Sequence, residues 1–190
     1  MESISRFVYA KARMTLHRTV ALVGMMGAGK TSVGRRLAAR LEVPFRDADH
    51  EIEAAAGLTV AEIFARFGEP YFRDGERRVI ARLLGETPHV LATGGGAFMD
   101  ETTRAAMRTA AFTIWLKAPV SLLLSRVKKR ETRPLLKDGD MRQTMERLLV
   151  VREPVYAQAD MTIESVDEPH GHAVDRIIAS LREHKLYEDS

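Results

Sequence analysis

The sequence predicts an α/β fold of three layers, a parallel sheet with helices on both faces. Three observations carry this. Short apolar runs of strand type alternate with segments of helical period nearly to the end of the chain, and strands that alternate with helices pack as a parallel sheet covered on both sides. The first apolar run passes through a glycine-rich loop directly into the first helical pattern. The length of 190 residues and an apolar fraction of 45 % suit one domain with a sizeable core.

The elements follow in order. Thr19-Val20-Ala21-Leu22-Val23 is a continuous apolar run, the signature of a strand buried on both faces. After the loop at 24–31, Val33, Leu37 and Leu41 make one helical stripe. Val43 to Arg46 reads as a short strand ending in Asp47-Ala48-Asp49. Helical patterns cover 50–56 and 59–67, the second capped by Thr59 and closed by Gly68. A further helix over 69–84 carries Phe72, Val79, Ile80 and Leu83 on its apolar stripe. His89 to Ala92 is a strand that ends in Thr93-Gly94-Gly95-Gly96, and a helix near 101–108 comes next. Ala111 to Leu116 is a strand, and Pro119 opens a helix with Leu122, Leu123 and Val127. Residues 128–140 are charged and broken by Pro134, Asp138, Gly139 and Asp140, which predicts a mobile loop. A long helix over Met141 to Ala157, a strand at Met161 to Ile163 and a helix over Ala173 to Leu186 complete the chain.

The loop itself carries the strongest chemical signal. Gly24-Met25-Met26-Gly27-Ala28-Gly29-Lys30-Thr31 fits G-x-x-x-x-G-K-[ST] between a strand and a helix, the context that motif requires. Backbone N–H groups of such a loop, and of the helix end behind it, converge on one point and favour an anion there. Lys30 is placed to reach the β- and γ-phosphates of a nucleotide and Thr31 to hold Mg²⁺.

Ligands on such sheets bind outside the carboxyl ends of the strands. The phosphate loop, Asp47-Ala48-Asp49 and Gly94-Gly95-Gly96 all stand at strand ends and are expected to meet in one crevice. Of Asp47 and Asp49, one can support Mg²⁺ through water and the other accept a proton from an attacking hydroxyl, or the pair caps the next helix. Three consecutive glycines let the backbone approach a ligand closely and offer it N–H groups. Glu76, three residues after Arg73, can orient that guanidinium on a helix. Met141, Met145, Leu148, Leu149, Arg152 and Tyr156 share one stripe. An arginine on an apolar face must find an anion, either a core carboxylate or the carboxylate of a substrate. Arg126, Lys128, Lys129, Arg130 and Arg133 crowd the charged segment, where a flexible basic loop can close over phosphates and an arginine can stabilise the transferring group. For Lys128, Lys129 and Arg130 a solvated charge run is the simpler reading.

Taken together these segments resemble the shikimate kinase family from about residue 19 to 184. The carrying segments are Gly24 to Ser32, Asp47-Ala48-Asp49, Phe72-Arg73-Asp74-Gly75-Glu76, Thr93 to Ala97, Arg133-Pro134-Leu135-Leu136, and Arg152-Glu153-Pro154-Val155-Tyr156. The resemblance implies the P-loop fold of nucleoside-monophosphate kinases, with a five-stranded parallel sheet and a lid at about 128–140. It implies an ATP- and Mg²⁺-dependent transfer of the γ-phosphoryl group to the 3-hydroxyl of shikimate, a step of aromatic amino-acid biosynthesis. By position, Asp49 would bind that hydroxyl and act as base, with Arg73 and Arg152 clamping the carboxylate. Gly95 and Gly96 would offer N–H groups. Gly27, Ala28, Gly29, Lys30, Thr31 and Ser32 would hold the nucleotide, Thr31 would ligate Mg²⁺ and Asp47 stand in its outer shell. Arg133 would be the lid arginine on the phosphates, and Arg126 would lie against adenine.

Composition removes several classes. There is no cysteine, so disulfides and thiolate metal sites are excluded, and the six histidines show no metal-binding spacing. The net charge of +3, spread along the chain, gives no argument for a nucleic-acid partner, and none is expected. No apolar run approaches the roughly 20 residues of a membrane span, and a cytoplasmic monomer is expected. Residues 1–18 carry Arg6, Lys11, Arg13 and Arg18 against Glu2, without periodicity, and read as a flexible extension before a single domain over 19–190. A GTPase switch would show an Asn-Lys-x-Asp run, which does not occur. A kinase of another polyol such as gluconate would share the phosphate loop, but has no need of the triple glycine with two spaced arginines.

Overall fold

A computed structural model describes residues 15–128, 141–165 and 170–188 of the chain. The elements in order are β1 (Thr15–Leu16), β2 (Thr19–Val23), α1 (Lys30–Leu41), β3 (Phe45–Asp47), α2 (Ala48–Ala56), α3 (Val60–Leu84), β4 (Val90–Ala92), α4 (Glu101–Ala110), β5 (Ala111–Lys117), α5 (Val120–Lys128), α6 (Met141–Tyr156), β6 (Met161–Glu164), α7 (His170–Glu183) and β7 (Tyr187–Glu188). Five strands form one sheet in the order β3-β4-β2-β5-β6. Every pairing in it is parallel.

The sheet is central because its sequence allows nothing else. All five residues of β2 are buried, as are the first six of β5. The connection from β2 to β3 passes over β4 in one direction, and that from β4 to β5 passes over β2 in the other. With right-handed crossovers, opposite directions put α1 and α4 on opposite faces. The helix α7 packs on α1, and α3 on α4. The direction of the crossovers reverses at β2, and sheets of this kind hold ligands in the crevice at the carboxyl end of such a strand.

The helix α3 shows how local signals act. Thr59 and Glu62 form a reciprocal capping box at its start, stabilising that end by about 1 kcal/mol. Gly68, with φ 79° and ψ 174°, breaks it into the two segments that the sequence predicts. Pro70 falls in the first turn of the second segment, where its missing N–H costs nothing.

The chain departs from expectation at its two ends. Residues 15–18 belong to the stretch read as a flexible extension, yet Thr15 and Leu16 pair antiparallel with Glu188 and Tyr187. Leu16 and Tyr187 are buried. Arg18 donates to the carbonyls of Arg108, Thr109 and Ala111, satisfying acceptors left open where α4 ends. The last helix starts earlier and stops earlier than its apolar stripe suggests. Of the lid expected at about 128–140, Lys128 ends α5, and residues 129–140, Arg133 included, lie outside the described residues.

Candidate active site

The phosphate loop is shaped by close contacts. Gly24 has φ +133°, and a Cβ there would stand 2.7 Å from the Leu116 carbonyl oxygen. Gly29 caps α1 with φ 95° and has no side chain to accept from the first N–H groups of that helix. A helix end without a side-chain cap offers its N–H groups to an anion. Lys30 is buried and its Nζ donates to the carbonyls of Gly24 (2.7 Å) and Met25 (2.9 Å). Ser32 sits in the first turn of α1.

Asp47 serves two elements at once. Its Oδ1 accepts from the Asp49 N–H at 3.2 Å, capping α2, and its Oδ2 accepts from the Thr31 hydroxyl at 2.8 Å. The capping reading of the Asp-x-Asp pair therefore holds for Asp47, and its second oxygen meets Thr31 at the end of the phosphate loop. The meeting of Thr31 and Asp47 offers two hard oxygen donors beside the phosphate loop. That set fits Mg²⁺, which keeps water and phosphate oxygens in most of its coordination sphere. Among the described residues no cluster of three or more His, Asp or Glu is grouped to hold a metal alone.

Beside the loop lies a cavity of about 420 Å³. Asp49, Arg73, Gly95, Gly96 and Arg152 all line it, together with Met26 of the phosphate loop and an apolar wall from Val60, Ala61, Phe64 and Phe72. These residues come from five separate parts of the chain. Gly95 joins them to the nucleotide side, because a Cβ on it would stand 3.3 Å from the Met26 N.

The triple glycine is required by space. A Cβ on Gly94 would stand 2.6 Å from Glu76 Oε1 and 3.0 Å from Asp49 Oδ1. On Gly96 it would stand 2.5 Å from Arg73 Nη2. The glycines thus let two carboxylates and a guanidinium press against the backbone. Arg73 lies over the Phe72 ring, 5.2 Å from its centroid, and pairs with Glu76 at 2.6 Å and Glu69 at 3.1 Å. Arg152 Nη1 donates to the Gly95 carbonyl at 3.3 Å. Among the described residues, Arg152 Nη1 meets the Gly95 carbonyl and Met25 Sδ, and no core carboxylate is hydrogen-bonded to it.

Glu76 is the residue whose weight the sequence understates. It is 2 % exposed, and its Oε1 has no hydrogen-bond partner among the described residues. Burial raises its carboxyl above the usual 4.5, Arg73 opposes this, and the charges of Asp49 and Asp100 add to it. The folded chain therefore keeps this proton to a higher pH than the unfolded chain. Its contribution to stability is greatest at low pH and declines as pH rises from 4.5 through the folded-state value. Glu76→Gln removes that decline, so the melting temperature of the variant relative to wild type climbs over the interval above pH 4.5. A difference that is flat with pH would show that Glu76 ionises alike in both states.

Arg126 reaches the loop from α5, with Nη1 3.4 Å from the Ala28 carbonyl and 3.2 Å from the Ser165 hydroxyl. Tyr156, fully buried one turn beyond Arg152, enters the sequence analysis in an apolar stripe and in the segment Arg152 to Tyr156 without a role of its own, yet its hydroxyl donates to the Gly95 carbonyl.

The sequence profile of the family described as shikimate kinase matches residues 26–182. The chain belongs to the shikimate kinase family. The shikimate kinase of Bradyrhizobium diazoefficiens is 59 % identical over 167 residues, covering 88 % of this chain and 81 % of that protein. That of Caulobacter vibrioides is 55 % identical over 166 residues, with coverage of 87 % and 83 %. Among solved structures, the shikimate kinase from Acinetobacter baumannii in complex with shikimate superposes with a TM-score of 0.86 at 38 % identity, covering 89 % of this chain and 95 % of that one. Shikimate kinases use ATP as the phosphoryl donor. The cavity described here lies within the span that the family profile covers. No helix among the described residues is long and apolar enough to cross a membrane.

Proposed function

We propose that the protein transfers the γ-phosphoryl group of ATP to the 3-hydroxyl of shikimate, giving shikimate 3-phosphate and ADP for aromatic amino-acid biosynthesis. One observation carries this reading. Asp49, Arg73, Gly95, Gly96 and Arg152 line a single cavity that also touches the phosphate loop at Met26. A small hydroxylated acid needs a carboxylate clamp, a hydroxyl acceptor and close backbone groups, and those residues supply them.

In this reading the two guanidinium groups of Arg73 and Arg152 hold the carboxylate, and Arg suits that task because its fork binds both oxygens. Their grip fixes the ring and turns one hydroxyl toward the nucleotide. Asp49 accepts the proton of that hydroxyl as its oxygen bonds to the γ-phosphorus. The bond from the γ-phosphorus to the bridging oxygen breaks, and the electron pair leaves with ADP. Lys30 and the loop N–H groups stabilise negative charge on the phosphates. Thr31 and Asp47 would hold Mg²⁺, which when bound neutralises charge on the β- and γ-oxygens. Arg126, beside Ala28, borders the adenine, and Arg133 acts on the phosphates.

An ADP-release assay run in parallel with shikimate, gluconate and no acceptor tests the assignment. Release that depends on shikimate alone is the expected result. Equal rates with all three would remove shikimate as the substrate, and a preference for gluconate would move the enzyme to another polyol.

A further inference from the structure

We infer that Tyr156 is a positioning residue for the acid clamp, acting through the Gly95 carbonyl that its hydroxyl shares with Arg152. The inference rests on the shikimate reading and adds a residue to it. Tyr156 is fully buried and stands four residues after Arg152, on the same face of α6. Its hydroxyl donates to the Gly95 oxygen, and Arg152 Nη1 donates to the same oxygen at 3.3 Å. Both groups also approach Met25 Sδ, at 3.9 Å from the hydroxyl and 3.8 Å from Nη1. The ring is fixed from behind by Trp115, with centroids 5.9 Å apart and planes 27° apart.

The consequence follows from peptide geometry. In a trans peptide the carbonyl of one residue and the N–H of the next point in opposite directions. Two donors that hold the Gly95 oxygen therefore fix where the Gly96 N–H points. They also fix Gly96 itself, which lies against the Arg73 guanidinium. The carbonyl gives Arg152 a second anchor, leaving the rest of its fork for a ligand. One hydroxyl thus aligns elements on both sides of the clamp. Burial pushes the Tyr156 pKa up to about 12, so it remains a donor throughout the physiological range.

The test compares wild type, Tyr156→Phe, Arg152→Ala and the double variant. Shikimate and ATP are varied separately, and melting is followed alongside. Tyr156→Phe keeps the ring and its packing. Its KM for shikimate is expected to rise roughly ten-fold, as for loss of one buried hydrogen bond, with KM for ATP unchanged. In the double variant the two losses should not add, since both act on one carbonyl. Replacement of Tyr156 by 4-aminophenylalanine, which restores a donor, should recover most of the shikimate affinity. A Tyr156→Phe enzyme with wild-type KM for shikimate, or an equal loss for both substrates, or strictly additive losses, overturns the positioning role. Failure of Tyr156→Phe to fold, with no recovery of affinity in the 4-amino variant, overturns it as well, because the residue is then only core. Wild-type protein that ignores shikimate overturns the proposed activity, a result separate from all of these.

Discussion

Lys30→Ala is expected to lower kcat by about a thousand-fold or more, the scale set by loss of a preorganised charge at a transferring phosphoryl group. Lys30 is 8 % exposed, so its ammonium acts where water screens little. Its Nζ is held by two loop carbonyls, at Gly24 and Met25. Those contacts are neutral and exchangeable, and a polyanion entering the loop competes for the same donors. Alanine removes both the charge and the link that holds the loop in shape. Lys30→Met separates the two effects in part, because it keeps an apolar stem without the charge. Both variants should show the loss in an ADP-release assay at saturating substrates, while circular dichroism reports an intact fold. Near-normal kcat in either would refute the phosphoryl-transfer reading.

Arg152→Ala has the second largest expected effect, on binding. A charge-assisted hydrogen bond contributes about 1.5–3 kcal/mol, so KM for shikimate should rise roughly 10- to 150-fold. The variant also removes one of two donors to the Gly95 carbonyl. KM for ATP should change little, since Arg152 lines the acid cavity and reaches the phosphate loop only at the side chain of Met25, not at its N–H groups. Initial rates with each substrate varied in turn measure both quantities. A defect confined to ATP would transfer Arg152 to the nucleotide side.

Much of this molecule could be read from its sequence, for physical reasons that differ by element. The run Thr19–Val23 identified itself because a strand buried on both faces tolerates nothing polar and long. The break at Gly68 was visible because a positive φ asks for glycine. The end of the last helix was not. Its chain turns at Lys185, with φ 53°, while the Leu186 N–H returns to the Leu181 carbonyl. That is a helix-ending turn which glycine usually marks, and here it carries no such mark. The pair β1–β7 was also hidden, since two residues per strand offer no periodicity and the partners lie at opposite ends of the chain.

The site divides in the same way. Lys30, Thr31, Asp47 and Asp49 could be singled out because each stands in a short motif that follows a strand. The triple glycine was found for one reason and is explained by another. The sequence suggested close approach of a ligand, and the structure adds close approach of Glu76, Asp49 and Arg73. Burial of Glu76 was illegible, because a glutamate on a helix is normally solvated and only the tertiary fold lays Gly94 over it.

The short antiparallel ladder brings residues 15 and 188 face to face upstream of β2, at the border of the sheet remote from the phosphate loop. A few linking residues would suffice to splice these points together. New termini could then be opened in an exposed turn without separating any two groups of the crevice. For the same reason an affinity tag or a surface anchor attached near either point projects away from arriving nucleotide and acid, and immobilised protein should keep its mouth open to solution.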